Sequence, residues 1–193
     1  ASHDDVLLVE GSTDITFIKA ALSHFHGQGK YTDLSFEYIP CGGASHMKDF
    51  ASIFKPKEGQ TVIGFLDGDR AGRESMHKII KNPAKGATEW DLKKFGKARK
   101  CSGVWFSFYP VWKGKKNADN FNVEDYFTCT LFRKYILSFS SLDTIKNKDG
   151  LKSILEKECK KGMIKPKFYE KFNTLFNHIQ SIKDAENQGL IEF

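Results

Sequence analysis

A chain of 193 residues, 40% of them apolar, is long enough for one domain, or one domain with a small appendage, around a buried core. The formal net charge of +6 fits a polyanionic partner such as a phosphate backbone, or simply a solvated basic surface. Cys41, Cys101, Cys129 and Cys159 form no CxxC pair, which argues against a zinc site, and no apolar stretch approaches a membrane span. With no signal peptide in view, a cytoplasmic protein with reduced thiols and no membrane partner is expected. The chain starts without Met and enters a strand almost at once, so it reads as a piece of a longer protein.

Val6-Leu7-Leu8-Val9 is short, branched and ended by Glu10-Gly11, the pattern of a buried parallel strand over residues 6–10. Glu10 at its end is a candidate metal ligand or general acid–base, and Gly11 is read as a sharp turn beside a ligand. Ser12 or Thr13 caps a helix over 14–26, with Phe17, Ile18, Ala21, Leu22 and Phe25 on one face. Asp14 in its first turn is either a second ligand facing the crevice of Glu10 or a plain helix N-terminal charge. Residues 35–40 alternate as a strand, and Cys41-Gly42-Gly43 turns into a helix over 46–54 that Ser45 caps. Gly42, Gly43 and Ser45 are candidate substrate contacts.

Val62-Ile63-Gly64-Phe65-Leu66 completes a third strand, over 61–66, and Asp67-Gly68-Asp69-Arg70-Ala71-Gly72 opens a helix over 70–81. Asp67 and Asp69 are two apart, so in extended backbone they share a face. Arg70 is placed to neutralise them or to meet phosphate. Residues 82–102 read as a basic loop or insertion, 104–109 as a fourth strand stopped by Pro110, and 113–122 as a second basic loop. Asn122-Val123-Glu124-Asp125-Tyr126-Phe127 then leads into a helix ending near 139, and the chain is helical from 149 except at 162–166. Candidate phosphate contacts are Lys97 and Lys100, beside Lys93, Lys94 and Arg99, and Lys115 and Lys116, beside Lys113.

Strand–helix alternation predicts a parallel α/β sheet. Carboxylates at the carboxyl ends of neighbouring parallel strands meet in one crevice. Three of them would repel unless a divalent cation held them, and all-oxygen ligands favour Mg²⁺ or Mn²⁺. That is the chemistry of metal-assisted phosphodiester cleavage or transfer.

The strand-Glu10-Gly11 motif followed by Asp67-Gly68-Asp69-Arg70-Ala71-Gly72 resembles the Toprim domain, and Glu124-Asp125 resembles the later acidic segment of its OLD (overcoming lysogenisation defect) nucleases. The resemblance implies a Rossmann-like α/β Toprim core over 1–128, with a central parallel sheet flanked by helices, and a helical C-terminal part over 129–193. It implies two Mg²⁺ or Mn²⁺ ions, one on Glu10, Asp14, Asp67 and Asp69 and one on Glu124 and Asp125. It also implies a lysine that steadies the phosphate, either Lys165 or Lys167, both near Phe168. DNA would be the substrate, with an ATPase domain upstream in the same chain, homo-oligomers through missing regions, and an association with phage defence. Two rivals stand beside this reading. One is a primase-type nucleotidyltransferase, since residues 67–73 are close to the primase motif, although Glu10 and Asp67 are far apart for it. The other is a catalytically silent Toprim binding module.

Overall fold

Strand pairing follows the apolar runs. In the computed structural model, Asp5–Val9 (β1), Phe36–Pro40 (β2) and Val62–Leu66 (β3) are parallel neighbours, with β1 between the other two. Ala98–Cys101 (β4) and Val104–Phe108 (β5) complete the sheet, in the order β2-β1-β3-β5-β4. The structure describes residues 4–80, 96–115, 119–127 and 148–193, the last with side chains from 152. β1, β3 and β5 are buried along their whole length, which is why they read as apolar runs, with Asp5 and Ser107 as their buried polar positions.

The strand β4 falls inside the segment expected to be a loop. Ala-Arg-Lys-Cys has no strand pattern of its own. It pairs antiparallel with β5 through a tight hairpin at Ser102 and Gly103, both at positive φ. The chain end covers this edge: the Lys100 N–H donates to the Ile191 carbonyl at 2.7 Å and the Phe193 N–H to Ala98 at 3.3 Å.

Helices cover both faces. Ser12–Gly27 (α1) lays Phe17, Ile18, Ala21, Leu22 and Phe25 onto Leu7, Val9, Ile63, Phe65 and Trp105. Met47–Ile53 (α2) and Arg70–Ile80 (α3) cover the other face, on Val6, Leu8, Val62, Leu66, Phe106 and Phe108. Lys148–Lys160 (α4) packs on α1. The 3-10 segments Val123–Phe127 and Pro166–Phe172 meet, and Asn173–Asn187 (α5) follows. Phe168, Phe172, Leu175, Phe176 and Ile179 join the α1 side of the core, so this C-terminal part shares its core with the sheet.

Four local expectations are corrected, one of them at Ser45, which lies inside the 3-10 segment Ala44–His46 while His46 is the N-cap of α2. Ser12 begins α1 rather than capping it; Gly11 is the N-cap, and its N–H donates to Asp14 Oδ2 at 3.4 Å. Gly11 is in extended backbone, and a Cβ there would meet nothing within 4 Å, so no turn demands glycine. The helix after Glu124 begins as the 3-10 segment, and residues 128–139 lie outside the described residues. Among the described residues no helix is long and apolar enough to cross a membrane.

Candidate metal centre

The strand order puts the topological switch point between β1 and β3. From β1 the chain crosses to β2 on one side, and later returns to β3 on the other. Crevices form at such points beyond the carboxyl ends of the strands. Glu10 follows β1 and Asp67 follows β3 there. The two strand ends are joined directly, because the Asp67 N–H donates to Glu10 Oε1 at 2.8 Å. The Glu10 carbonyl also accepts the Gly43 N–H at 2.8 Å, which brings the Gly42-Gly43 turn to the same rim.

The Asp67-Gly68-Asp69 turn is held by backbone contacts. The Gly68 N–H donates to the Phe121 carbonyl at 2.7 Å, and the Gly72 N–H to Asp69 Oδ1 at 2.9 Å. Asp69 therefore tethers the start of α3 through one oxygen. Gly72 is demanded by space: a Cβ there would lie 1.9 Å from the Asp67 carbonyl oxygen. Arg73 Nη1 donates to the Gly68 and Asp119 carbonyls, each at 2.5 Å, tying the turn to the loop before Glu124.

A second group closes the crevice from the α1 side. Asp14 is 1% exposed and Glu124 6%. Lys152 Nζ, on α4, lies 3.5 Å from Asp14 Oδ1 and 3.7 Å from Glu124 Oε2. Lys152 is the cation of this cluster, and sequence reasoning missed it.

Burial and mutual repulsion dominate the electrostatics. The Glu10 carboxyl is pushed up to about 7, first by burial and then by Asp69 and Asp14, against the Asp67 N–H and Lys152. Asp67 rises to about 9 through burial and the charges of Glu10, Asp14 and Glu124. Asp14 also moves up, because burial outweighs its ion pair with Lys152. Burial alone would lower Lys152, but Asp14, Glu124 and Asp67 reverse this and raise it. These side chains act on one another as a single cluster.

Asp125 faces its own segment and accepts the Asn122 N–H at 2.8 Å, as a helix-start residue does. Lys165 opens the 3-10 segment, and exposed Lys167 has Nζ 5.3 Å from the Phe168 ring centroid. Ser45 is exposed beside a cleft of about 610 Å³ lined also by Ala44, Lys48, Ser75 and Lys78, between α2 and α3 rather than over the carboxylates. Arg70 is exposed and pairs with Glu74 at 2.8 Å. Lys100 lies on β4 and pairs with Glu186 at 2.9 Å, within the fold rather than on an open loop. Lys97 is exposed just before β4. Lys115 Nζ sits 5.2 Å from the Trp112 ring centroid, and Lys171 Nζ 5.5 Å from it. Lys116 lies outside the described residues, as do Lys93 and Lys94.

The donor set suits a hard divalent cation. Every candidate ligand is a carboxylate, and Asp67 Oδ1 is buried with no hydrogen-bond partner among the described residues. Among the described residues no three Asp, Glu, His or Cys side chains already form a closed coordination shell, and Lys152 supplies the positive charge between Asp14 and Glu124.

Residues 3–69 match the family model for the Overcoming lysogenization defect protein-like TOPRIM domain. The matched span includes Glu10, Asp14, Asp67 and Asp69 and stops short of Glu124 and Lys152. The largely parallel five-stranded sheet with helices on both faces is consistent with the Toprim α/β fold. Toprim domains generally bind divalent metals and belong to proteins that process nucleic acid, of nuclease or primase type. No curated protein and no solved structure matches the chain.

Proposed function

We propose that this chain is a metal-dependent endonuclease domain that cleaves DNA phosphodiester bonds with Mg²⁺ or Mn²⁺. The observation that carries the reading is the meeting of Glu124 with Asp14 at Lys152 Nζ, beside the Glu10–Asp67 pair. One acidic group at strand ends would serve either a nuclease or a primase. A second buried carboxylate from a later segment is what a two-cation hydrolase needs.

Glu10, Asp67 and Asp69 would hold one cation, and Asp14 and Glu124 a second. Bound there, the cations would supply Lewis-acid stabilisation of the attacking and leaving oxygens. The chain's own contribution is positional. The Asp67 N–H fixes Glu10, Asp69 fixes the start of α3, and burial excludes water from the inner carboxylates. Lys152, with its Nζ at the rim, would offset charge building on the phosphate. Lys115 and Lys171, each pinned over Trp112, would hold the DNA backbone. An upstream ATPase domain and a role in phage defence extend the same proposal.

Cleavage of supercoiled plasmid in Mn²⁺ tests it. Asp67→Asn and Glu124→Gln should each reduce cleavage by orders of magnitude while DNA binding persists. Normal cleavage by Glu124→Gln would remove the second cation site from the reading, and primer synthesis would then be assayed.

A further inference from the structure

Two fully buried tyrosines lie beside the crevice, and they differ in one respect. Tyr126 is 1% exposed, and its hydroxyl donates to the Pro110 carbonyl at 2.7 Å. Tyr109 is 0% exposed, and among the described residues its hydroxyl has no hydrogen-bond partner. A buried phenol without a partner costs about 1–3 kcal/mol, so its persistence asks for a reason.

The position of Tyr109 supplies one. It is the first residue after β5, and its N–H donates to the Leu66 carbonyl at 3.2 Å, which sets it level with Asp67 on the next strand. Its ring stacks on Phe65, with centroids 5.2 Å apart and planes 11° from parallel, and meets the Tyr126 ring edge-on. The ring is therefore fixed by packing on both sides. The charges of Asp14, Asp67 and Glu10 all bear on its hydroxyl. On the neighbouring strand end, Asp67 Oδ1 is buried and, among the described residues, equally without a hydrogen bond. A donor and an acceptor both lack partners at one site.

We infer that Tyr109 is a positioning residue of the acidic centre, whose hydroxyl donates its one proton to the Asp67 carboxylate and holds it in the orientation that a divalent cation requires. A ring locked by Phe65 and Tyr126 makes a rigid donor, and the groups that hydrogen-bond ligating carboxylates strongly affect cation affinity. The inference rests on the proposed cation-dependent function and extends it to a residue that carries no ligand atom itself.

Tyr109→Phe removes one hydroxyl and keeps the stacked ring. Titration calorimetry with Mn²⁺ and melting curves with and without Mg²⁺ test the idea without reference to cleavage. The expected result is Mn²⁺ affinity weakened about tenfold, in line with other residues that support metal ligands. The metal-free Tm should be equal to wild type or higher, since an unpaired hydroxyl is removed. Mn²⁺ affinity within threefold of wild type would overturn the inference. So would a marked drop in metal-free Tm, which would show that the hydroxyl already serves the fold. If the wild-type chain binds neither Mn²⁺ nor Mg²⁺, the cation-dependent function itself fails, and this inference fails with it.

Discussion

Replacing Glu10 with Gln should stabilise the metal-free protein at alkaline pH. The Gln carbonyl can still accept the Asp67 N–H that Glu10 Oε1 now receives at 2.8 Å, so the change removes charge and keeps shape. Burial, with Asp69 and Asp14 behind it, raises the Glu10 carboxyl from 4.5 to about 7 in the folded state. The folded state therefore holds this proton more tightly than the unfolded chain. Stability from this group is complete below pH 4.5 and is lost as pH rises through about 7. At about 1.4 kcal/mol per pH unit the ceiling is near 3 kcal/mol, and partial exposure of Glu10 reduces it to roughly 2 kcal/mol. For a domain of this size that is about 4–8 °C in Tm. Melting in EDTA at pH 4 and pH 8.5 is the assay. Wild type and Glu10→Gln should coincide at pH 4, with the variant higher at pH 8.5. Mg²⁺ should raise the wild type and leave the variant nearly unmoved. Coincident curves at pH 8.5, or a gap already open at pH 4, would refute the reasoning.

Gly72→Ala should lower stability by about 3 kcal/mol or more and abolish cleavage, because its Cβ would meet backbone rather than a flexible side chain. Gly11→Ala is the steric control: its Cβ meets nothing within 4 Å, and replacing this N-cap glycine should cost no more than about 1 kcal/mol. Replacing Lys115 and Lys171 together with Ala should weaken DNA binding evenly across sequences and lower the salt slope by roughly 1–2, read by fluorescence anisotropy at several salt concentrations; an unchanged slope would assign both to the surface alone. Burial depresses His178 to about 4, so its stabilising contribution is present above pH 6.5 and is lost as pH falls towards 4, by up to about 3 kcal/mol. His178→Leu should flatten that part of the curve of stability against pH.

The strand-terminal acids were legible because two local rules coincide there. An unbroken apolar run marks a parallel strand buried on both faces, and a charge just beyond it lies at the carboxyl end, where open α/β sheets form crevices. Val6 to Glu10 and Val62 to Asp67 satisfy both rules. Lys152 satisfies neither. It sits on a helix of mixed charge far along the chain, and it reaches Asp14 and Glu124 because α4 packs on α1, a tertiary contact that no local pattern encodes. The family resemblance points instead to Lys165 or Lys167, both close to Phe168 in the chain. β4 was hidden for a related reason: four residues with no apolar alternation become a strand only when β5 and the chain end pair with them.

The same distinction separates the parts of the site. Gly72 and Asp69 are fixed by local geometry, and so they stand in a contiguous motif that can be read directly. Asp14, Glu124, Tyr109 and Lys152 come from four separated segments and work only as a group. In the folded chain without a cation, their grouping costs stability: carboxylates are buried against one another, Asp67 rises to about 9, and Asp67 Oδ1 and the Tyr109 hydroxyl are left without hydrogen bonds among the described residues. Packing alone gives no reason to gather them, since apolar residues at these buried positions would be more stable. A site that is costly without a cation and relieved by one links ion binding to stability. That link is why melting curves read in EDTA and in Mg²⁺, rather than cleavage alone, can separate a working centre from a silent Toprim fold.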